Sequence, residues 1–142
     1  AAKCLGYAEK DKNFIDGDYS ICVDEKHMEN VRERYGFTNL ITTLRKSISA
    51  SDNGWSGAVC SESGLYQGSG YNLHIVDRVG GGDSFAAGFL HGILTHMEPD
   101  RALEFALAAA AIKHTIPGDL NYISEEEVLT LMNSDGSGRV NR

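Results

Sequence analysis

The stretch Asp77-Arg78-Val79-Gly80-Gly81-Gly82-Asp83-Ser84-Phe85 decides the fold of this 142-residue chain, because three consecutive glycines precede a predicted helix. Glycine has no Cβ atom, so this backbone can adopt left-handed angles and approach a ligand closely. The helix is predicted from Asp83 to about His96, and the N–H groups of its first turn have no acceptors within the helix. The positive end of the helix dipole lies there too. The turn therefore predicts an anion site at the backbone of Gly80, Gly81 and Gly82.

Two familiar phosphate-binding loops do not fit this turn. A dinucleotide-binding fingerprint that starts at Gly80 requires glycine at position 85, where Phe85 stands. A Walker loop requires Gly-Lys-Ser/Thr, and Gly82 is followed by Asp83 instead. A dinucleotide-binding oxidoreductase is therefore the weakest of the function classes that we consider, and a titration without NAD binding would exclude it.

Asp83 is unusual in this position, because its carboxylate repels an anionic ligand. One interpretation is that Asp83 is the N-cap residue of the helix, a position that favours aspartate. The other is that Asp83 is a general base directed at an acceptor hydroxyl beside a phosphate group. The residues alone leave both interpretations open, and the two are compatible.

The remaining patterns predict an α/β protein. Asp24 is expected to cap a helix that ends at Tyr35, before Gly36, and the strand-like run 37–44 follows as one step of an α/β winding. Residues 45–54 are polar and predict a turn. Further elements are predicted as strands at 55–61 and 71–76, a hairpin turn at 62–64, a buried helix from Pro99 to Lys113, and a helix with a capping box at Ser124 and Glu127. The glycine turn then lies between a strand and a helix, where ligands bind in such sheets.

Composition narrows the class of partner. The net charge of −7 makes nucleic acid an improbable partner, because an acidic domain repels phosphate backbones. No apolar run approaches the roughly 18 residues of a membrane span, and no signal-peptide pattern is present at the start, so we expect no membrane association. Cys4, Cys22 and Cys60 are widely spaced and form no CxxC pair, which predicts reduced thiols and a cytoplasmic location.

The glycine turn also carries a family resemblance. Asp77, Gly80, Gly82, Asp83, Phe85 and Gly88 match the C-terminal signature of the ribokinase/PfkB carbohydrate kinases, Asp-Thr-x-Gly-Ala-Gly-Asp-x-Phe-x-x-Gly, whereas Arg78 and Gly81 depart from its commonest form. With Thr43-Leu44-Arg45 upstream and 113–119 (Lys-His-Thr-Ile-Pro-Gly-Asp) downstream, the chain is similar to the 2-keto-3-deoxygluconate kinase branch. The resemblance implies the C-terminal part of a ribokinase-like three-layer α/β/α fold.

The resemblance also implies an activity and its residues. The activity would be the transfer of a phosphoryl group from ATP, with Mg²⁺, to a sugar or sugar acid. Asp83 would be the catalytic base, and the N–H groups of Gly80–Gly82 would form the anion hole for the transferred group. Thr43 and Arg45 lie where the family's Thr-x-Gly contacts the phosphates of ATP. Arg45 replaces the glycine there, and it is either a phosphate ligand or an ordinary surface charge.

Three further assignments have a structural alternative. Asp77 lies where some family members bind a monovalent cation such as K⁺, but it could equally form an Asx turn. The alanine-rich helix from Ala102 to Ile112 would line an adenine pocket, or it could simply be core. His114 could bind a ligand or complement the helix dipole.

The resemblance covers nearly all of residues 1–142 but only about the second half of the family's usual length. The Asn-x-x-Glu motif of the family would be expected just before Ala1, and 134–142 predicts a flexible tail. The first half of such kinases supplies most of the sugar pocket. A non-catalytic nucleotide-binding or interaction module is therefore the main alternative to a kinase. The sheet edge that such a chain leaves open also favours association, including a homo-oligomer.

Overall fold

The computed structural model describes residues 23–49 and 51–134. Its helices and strands, in chain order, are α1 Glu25–Tyr35, β1 Leu40–Ser47, β2 Asp52–Ser61, β3 Gly64–Gln67, β4 Tyr71–His74, α2 Gly81–Leu94, α3 Pro99–Lys113 and α4 Glu125–Met132. Cys4, Cys22 and the predicted tail beyond Ser134 lie outside the described residues. None of the described helices is long and apolar enough to cross a membrane.

The helix ends follow the predicted capping residues. The Asp24 side chain accepts a hydrogen bond from the N–H of His27, and Gly36 ends α1 with a left-handed backbone angle, φ of 66°. Pro99 opens α3, where the proline ring costs no hydrogen bond. Ser124 and Glu127 form both hydrogen bonds of a capping box at the start of α4. These predictions are confirmed.

The sheet has β2 at its centre. β1 pairs along one side of β2, and β3 and β4 pair end to end along its other side. Every pairing is antiparallel, so the described residues contain no parallel strand pair, which a full α/β winding step requires. The hairpin turn before Gly64 is confirmed, because β2 pairs with β3 directly across it.

The polar stretch at 45–54 is not a turn over its whole length, so this prediction was wrong. β1 continues to Ser47 and β2 begins at Asp52, with Arg45 paired to Trp55 and Ser47 paired to Asn53. Polar residues fit in β1 because alternate side chains of a strand point to the same side, and those of Thr43, Arg45 and Ser47 are exposed to solvent. The turn itself is shorter and is closed by the N–H of Ile48 on the carbonyl of Asp52, at 3.0 Å.

Helices cover both faces of β2, which is buried along almost its whole length. On one face, Trp55 and Val59 join the core that is formed with α2 and α3. On the other face, Cys60 lies beside Arg32 of α1. The described fold is therefore three layers, α/β/α, with the sheet in the middle, as the resemblance implies.

Candidate functional site

The glycine turn forms the start of α2. The helix begins at Gly81, two residues before the predicted start, and Gly80 is its N-cap residue with a φ of 76°. Such a left-handed angle favours glycine because a Cβ atom would be strained there. Asp83 is the third helical residue, so the interpretation of Asp83 as the N-cap residue is wrong.

The turn leaves backbone donors without acceptors. The N–H of Ser84 is the first to make a good intrahelical bond, to the carbonyl of Gly80 at 2.8 Å, while the N–H of Gly81 reaches Arg78 only at 3.4 Å. The N–H groups of Gly80, Gly82 and Asp83 have no acceptor in the described part of the chain. These donors and the helix dipole together favour an anion at this place. The Asp83 N–H is a donor that the sequence prediction missed, because it placed the helix start too late.

The Asp83 side chain is exposed and has no hydrogen bond or ion pair with the described residues. Its carboxylate projects from the first turn of α2, beside the unpaired N–H groups. In the first turn of α2 its negative charge lies at the positive end of the helix dipole, which is favourable in itself. The role of Asp83 as a general base stays a prediction.

The buried ring of His114 packs against Gly81 of the glycine turn. The imidazole is fully buried, and its Nδ1 lies 2.6 Å from the carbonyl oxygen of Ala110. A Cβ atom at Gly81 would lie only 2.6 Å from Cε1 of this ring. Burial lowers the pKa of His114, which keeps the ring neutral and makes Nδ1–H the donor to Ala110. Through Nδ1–H the ring donates to one of the last carbonyls of α3, which is a favourable interaction at the helix end as in the second interpretation. A role of His114 toward a ligand stays a prediction.

Arg45 is connected to the turn through aromatic contacts. Its guanidinium lies 5.6 Å from the ring centre of Trp55, which in turn lies 4.9 Å from the ring centre of His114. Thr43 is two residues before Arg45 and therefore points to the same side of β1. The structure thus places Thr43 and Arg45 on the face of the sheet that carries the glycine turn. Trp55 is a site neighbour that sequence reasoning missed.

The alanine-rich part of α3 is almost completely buried, with every residue from Ala106 to Ala111 at 3% exposure or less. Its small side chains allow α2 to approach closely, since a Cβ atom at Gly88 would lie 2.9 Å from the Cα of Ala106. Core packing therefore accounts for most of these alanines. Only Ala109 and Phe105 of α3 line the open cleft between α2 and α4, beside Ser84 and Asn121.

Asp77 accepts two backbone hydrogen bonds. Its Oδ1 accepts from the N–H of Val79 at 3.0 Å, and its Oδ2 accepts from the N–H of Gly118 at 2.8 Å. The bond to Val79, two residues on, is the Asx turn that was one of the two interpretations. These N–H groups, and to a smaller extent the positive charge of Lys113, lower the pKa of Asp77.

Comparison with known proteins agrees with this geometry. The sequence profile of the pfkB family carbohydrate kinases matches residues 51–125, which is more than half of the chain and includes the glycine turn, Asp77 and Asp83. The chain belongs to the pfkB family of carbohydrate kinases. The family assignment confirms the resemblance inferred from the signature.

Two curated members of the pfkB family are similar in sequence. A 2-dehydro-3-deoxygalactonokinase of Haloferax volcanii is 30% identical over 86 residues, which are 60% of this chain and 27% of that protein. An ATP-dependent ribose-1-phosphate kinase of Halopiger xanaduensis is 42% identical over 66 residues, which are 46% of this chain and 22% of that protein.

Solved structures of pfkB proteins are similar in fold. The crystal structure of a 2-dehydro-3-deoxygluconokinase from Thermotoga maritima superposes with a TM-score of 0.80 at 39% identity, over 92% of this chain and 38% of that one. A pfkB family carbohydrate kinase from Listeria grayi gives a TM-score of 0.72 at 34% identity, over 80% of this chain and 36% of that one. The chain therefore spans only about a quarter to two fifths of the length of these relatives.

Proposed function

We propose that this chain carries the catalytic base, the anion hole and part of the ATP site of a kinase that phosphorylates a sugar acid of the 2-keto-3-deoxygluconate type. The observation that supports it most is that the N–H groups of Gly80, Gly82 and Asp83, which have no acceptor among the described residues, lie in the same helical turn as the exposed Asp83 carboxylate. That carboxylate has no partner among these residues either. The named activities of the Thermotoga and Haloferax relatives support a keto-deoxy sugar acid as the acceptor.

The proposed mechanism uses Asp83 as a general base. Its carboxylate takes the proton of a sugar hydroxyl, the resulting oxygen attacks the γ-phosphorus of ATP in line, and ADP leaves as the bond to its β-phosphate oxygen breaks. The backbone N–H groups of the turn, from Gly80 through Gly81 and Gly82 to that of Asp83, stabilise the negative charge on the transferred group. Thr43 and Arg45 contact the other phosphates, and Arg45 is positioned for this by its stacking on Trp55.

Mg²⁺ belongs to the proposal as a partner of the nucleotide. The described residues contain no group of three or more His, Cys, Asp or Glu side chains that could hold a metal ion. This fits a Mg²⁺ ion that is bound mainly by phosphate oxygens and water, with one or two carboxylates at most. The proposal includes no K⁺ ion at Asp77. The carbonyl of Gly118, whose N–H donates to Asp77, already accepts a hydrogen bond from the ammonium of Lys113.

The test is the Asp83→Asn variant with ATP, Mg²⁺ and 2-keto-3-deoxygluconate. We expect phosphoryl transfer to fall by about 10²–10⁴-fold, with ATP affinity by calorimetry unchanged or tighter because a repelling charge is removed. Asp119→Asn is the matched control, since it removes the same charge next to the turn, where the Asp119 backbone lies 3.1 Å from the Cβ position of Gly80. Unchanged turnover in Asp83→Asn would show that the base is another group.

A non-catalytic nucleotide-binding module is the second candidate. The observation that favours it is length, because the chain spans 38% or less of each of these relatives and sugar-binding residues of a kinase would lie elsewhere. ATP binding that is saturable, together with no ADP release on addition of any sugar acid, would support this candidate over the kinase.

A further inference from the structure

Lys113 is a buried lysine at the end of α3, directly below the glycine turn. Its side chain is 0% exposed, and burial of an ammonium group is unfavourable unless hydrogen bonds replace the lost water. Its Nζ donates to the carbonyl oxygens of Gly118 at 2.7 Å and Ile116 at 3.3 Å. The turn that follows α3 thus directs two carbonyls at one buried positive charge.

The same turn is tied to the segment before α2. Gly118 has a φ of 80°, and while its carbonyl binds Lys113, its N–H donates to Asp77. Asp77 in turn accepts from the N–H of Val79, immediately before the first glycine. The cation, the two carbonyls and the carboxylate therefore form one connected group that joins 113–118 to 77–80.

Lys113 also contacts the N-cap residue of α2. A Cβ atom at Gly80 would lie 3.1 Å from Cε of Lys113 and 3.8 Å from its Nζ. The lysine stem therefore fills the space beneath the left-handed residue whose conformation directs the unpaired N–H groups outward. A shift of Lys113 is transmitted to these donors by direct packing.

We propose that the ammonium of Lys113 is a built-in monovalent cation that holds the turns at 77–80 and 116–118 together, so that this chain needs no K⁺ there. An ammonium group and K⁺ carry the same charge and both bind carbonyl oxygens. Here the carbonyls of Gly118 and Ile116 already bind the ammonium of Lys113. Lys113 is a positioning residue for the anion-binding turn. Only the expected effect of Lys113 on ATP affinity rests on the proposed function.

The first experiment measures the wild-type chain in KCl, NaCl and choline chloride at equal ionic strength. We expect the thermal unfolding midpoint to be the same in all three salts, and the ATP affinity to agree within about twofold. A gain in unfolding midpoint that is specific to K⁺ would overturn the proposal. Absence of ATP binding in every salt would contradict the proposed function and leave the unfolding result to decide the role of Lys113.

The second experiment compares two variants without nucleotide. Lys113→Ala leaves an uncharged space beside the carbonyls, so ammonium, methylammonium or K⁺ should raise its unfolding midpoint more than choline does. Lys113→Met is the matched control, because its side chain fills the space without a charge and leaves no room for a cation. The proposal fails if small cations raise the unfolding midpoint of Lys113→Ala no more than that of Lys113→Met. It also fails if Lys113→Ala does not fold in any of these salts.

Discussion

Gly81 lies against the imidazole of His114, while its neighbour Gly82 faces open space. The two glycines therefore have different reasons to lack a side chain, although they are adjacent in the same helical turn. At Gly81 the reason is internal packing with a fully buried ring. At Gly82 the position is exposed, and a missing Cβ atom matters only to a ligand that approaches the turn.

This difference predicts opposite results for two alanine substitutions. Gly81→Ala should destabilise the fold by about 1–3 kcal/mol, because its Cβ atom would lie 2.6 Å from Cε1 of His114 and force the ring to move. Gly82→Ala should change stability by less than about 0.5 kcal/mol. Urea unfolding of both variants without ligand measures the difference. Equal stabilities would mean that His114 does not pack on the turn.

His114 also gives the stability of the chain a pH dependence. Its pKa in the folded chain is lowered, first of all by burial, below the value of about 6.5 expected in the unfolded chain. As the pH falls below about 6.5, the unfolded chain takes up a proton that the folded chain does not, so stability decreases. Above that pH the contribution of His114 is complete.

The measurement compares wild type with His114→Phe, which keeps an aromatic ring but does not titrate. We expect the wild-type unfolding midpoint to decrease more steeply between about pH 7 and pH 5.5 than that of the variant. The other described histidines, at 27, 74, 91 and 96, are present in both proteins and cancel in the difference. Parallel pH profiles would contradict a buried neutral His114.

At the scale of elements, the pairing of α2 with α3 depends on glycines that face small residues. A Cβ atom at Gly92 would lie 2.7 Å from the Cβ of Ala102, and one at Gly88 would lie 2.9 Å from the Cα of Ala106. Close helix approach holds the start of α2 above the end of α3, where Lys113 and His114 support the glycine turn. The position of the candidate site thus depends on helix packing as well as on its own residues.

Gly92→Ala tests this packing. Alanine favours a helix over glycine by about 0.5–1 kcal/mol, so a gain in stability is the expectation from propensity alone. We expect a net loss of about 1–2 kcal/mol instead, because the added methyl group must separate two packed helices. Chemical unfolding gives the value, and circular dichroism checks that helix content is kept. A stabilised variant would mean that α2 and α3 are further apart.

At the scale of the whole molecule, the described part of the chain has open strand edges and an exposed apolar helix face. β1 has a strand partner on one side only, and the outer face of α2 exposes Leu90 at 60% and Leu94 at 78%. An unpaired strand edge and exposed apolar side chains each favour association with another chain.

These surfaces predict self-association that depends on concentration. The pair Leu90→Lys and Leu94→Lys should shift the chain toward monomer in light scattering coupled to gel filtration. Gln67→Lys with Thr130→Lys is the control, because it adds the same charge at exposed polar positions. A monomeric wild-type chain at all concentrations, or an equal shift in the control, would contradict an apolar contact through α2.

The sequence predicted the parts of this molecule that depend on local chemistry. Asp24, Gly36, Pro99 and Ser124 set the helix ends through hydrogen bonds within a few residues, and the signature around Asp83 identified the family. The extent of β1 and β2 depends on pairing between Arg45 and Trp55, which local polarity hides. The role of Lys113 depends on a turn that brings the carbonyl of Gly118 to it. Its only signal in the sequence was a lysine directly after the apolar run 105–112 of α3.

The central position of β2 also has a consequence for the order in which the fold opens. Residues 53–60 of β2 pair with β1 on one side, and 52–55 and 58–61 pair with β4 and β3 on the other, under helices on both faces. Its amide protons should therefore exchange with deuterium only when the whole molecule unfolds, whereas the short helix α4 can open by itself. The slowest-exchanging amides, near Ala58 and Val59, would then report the global stability directly.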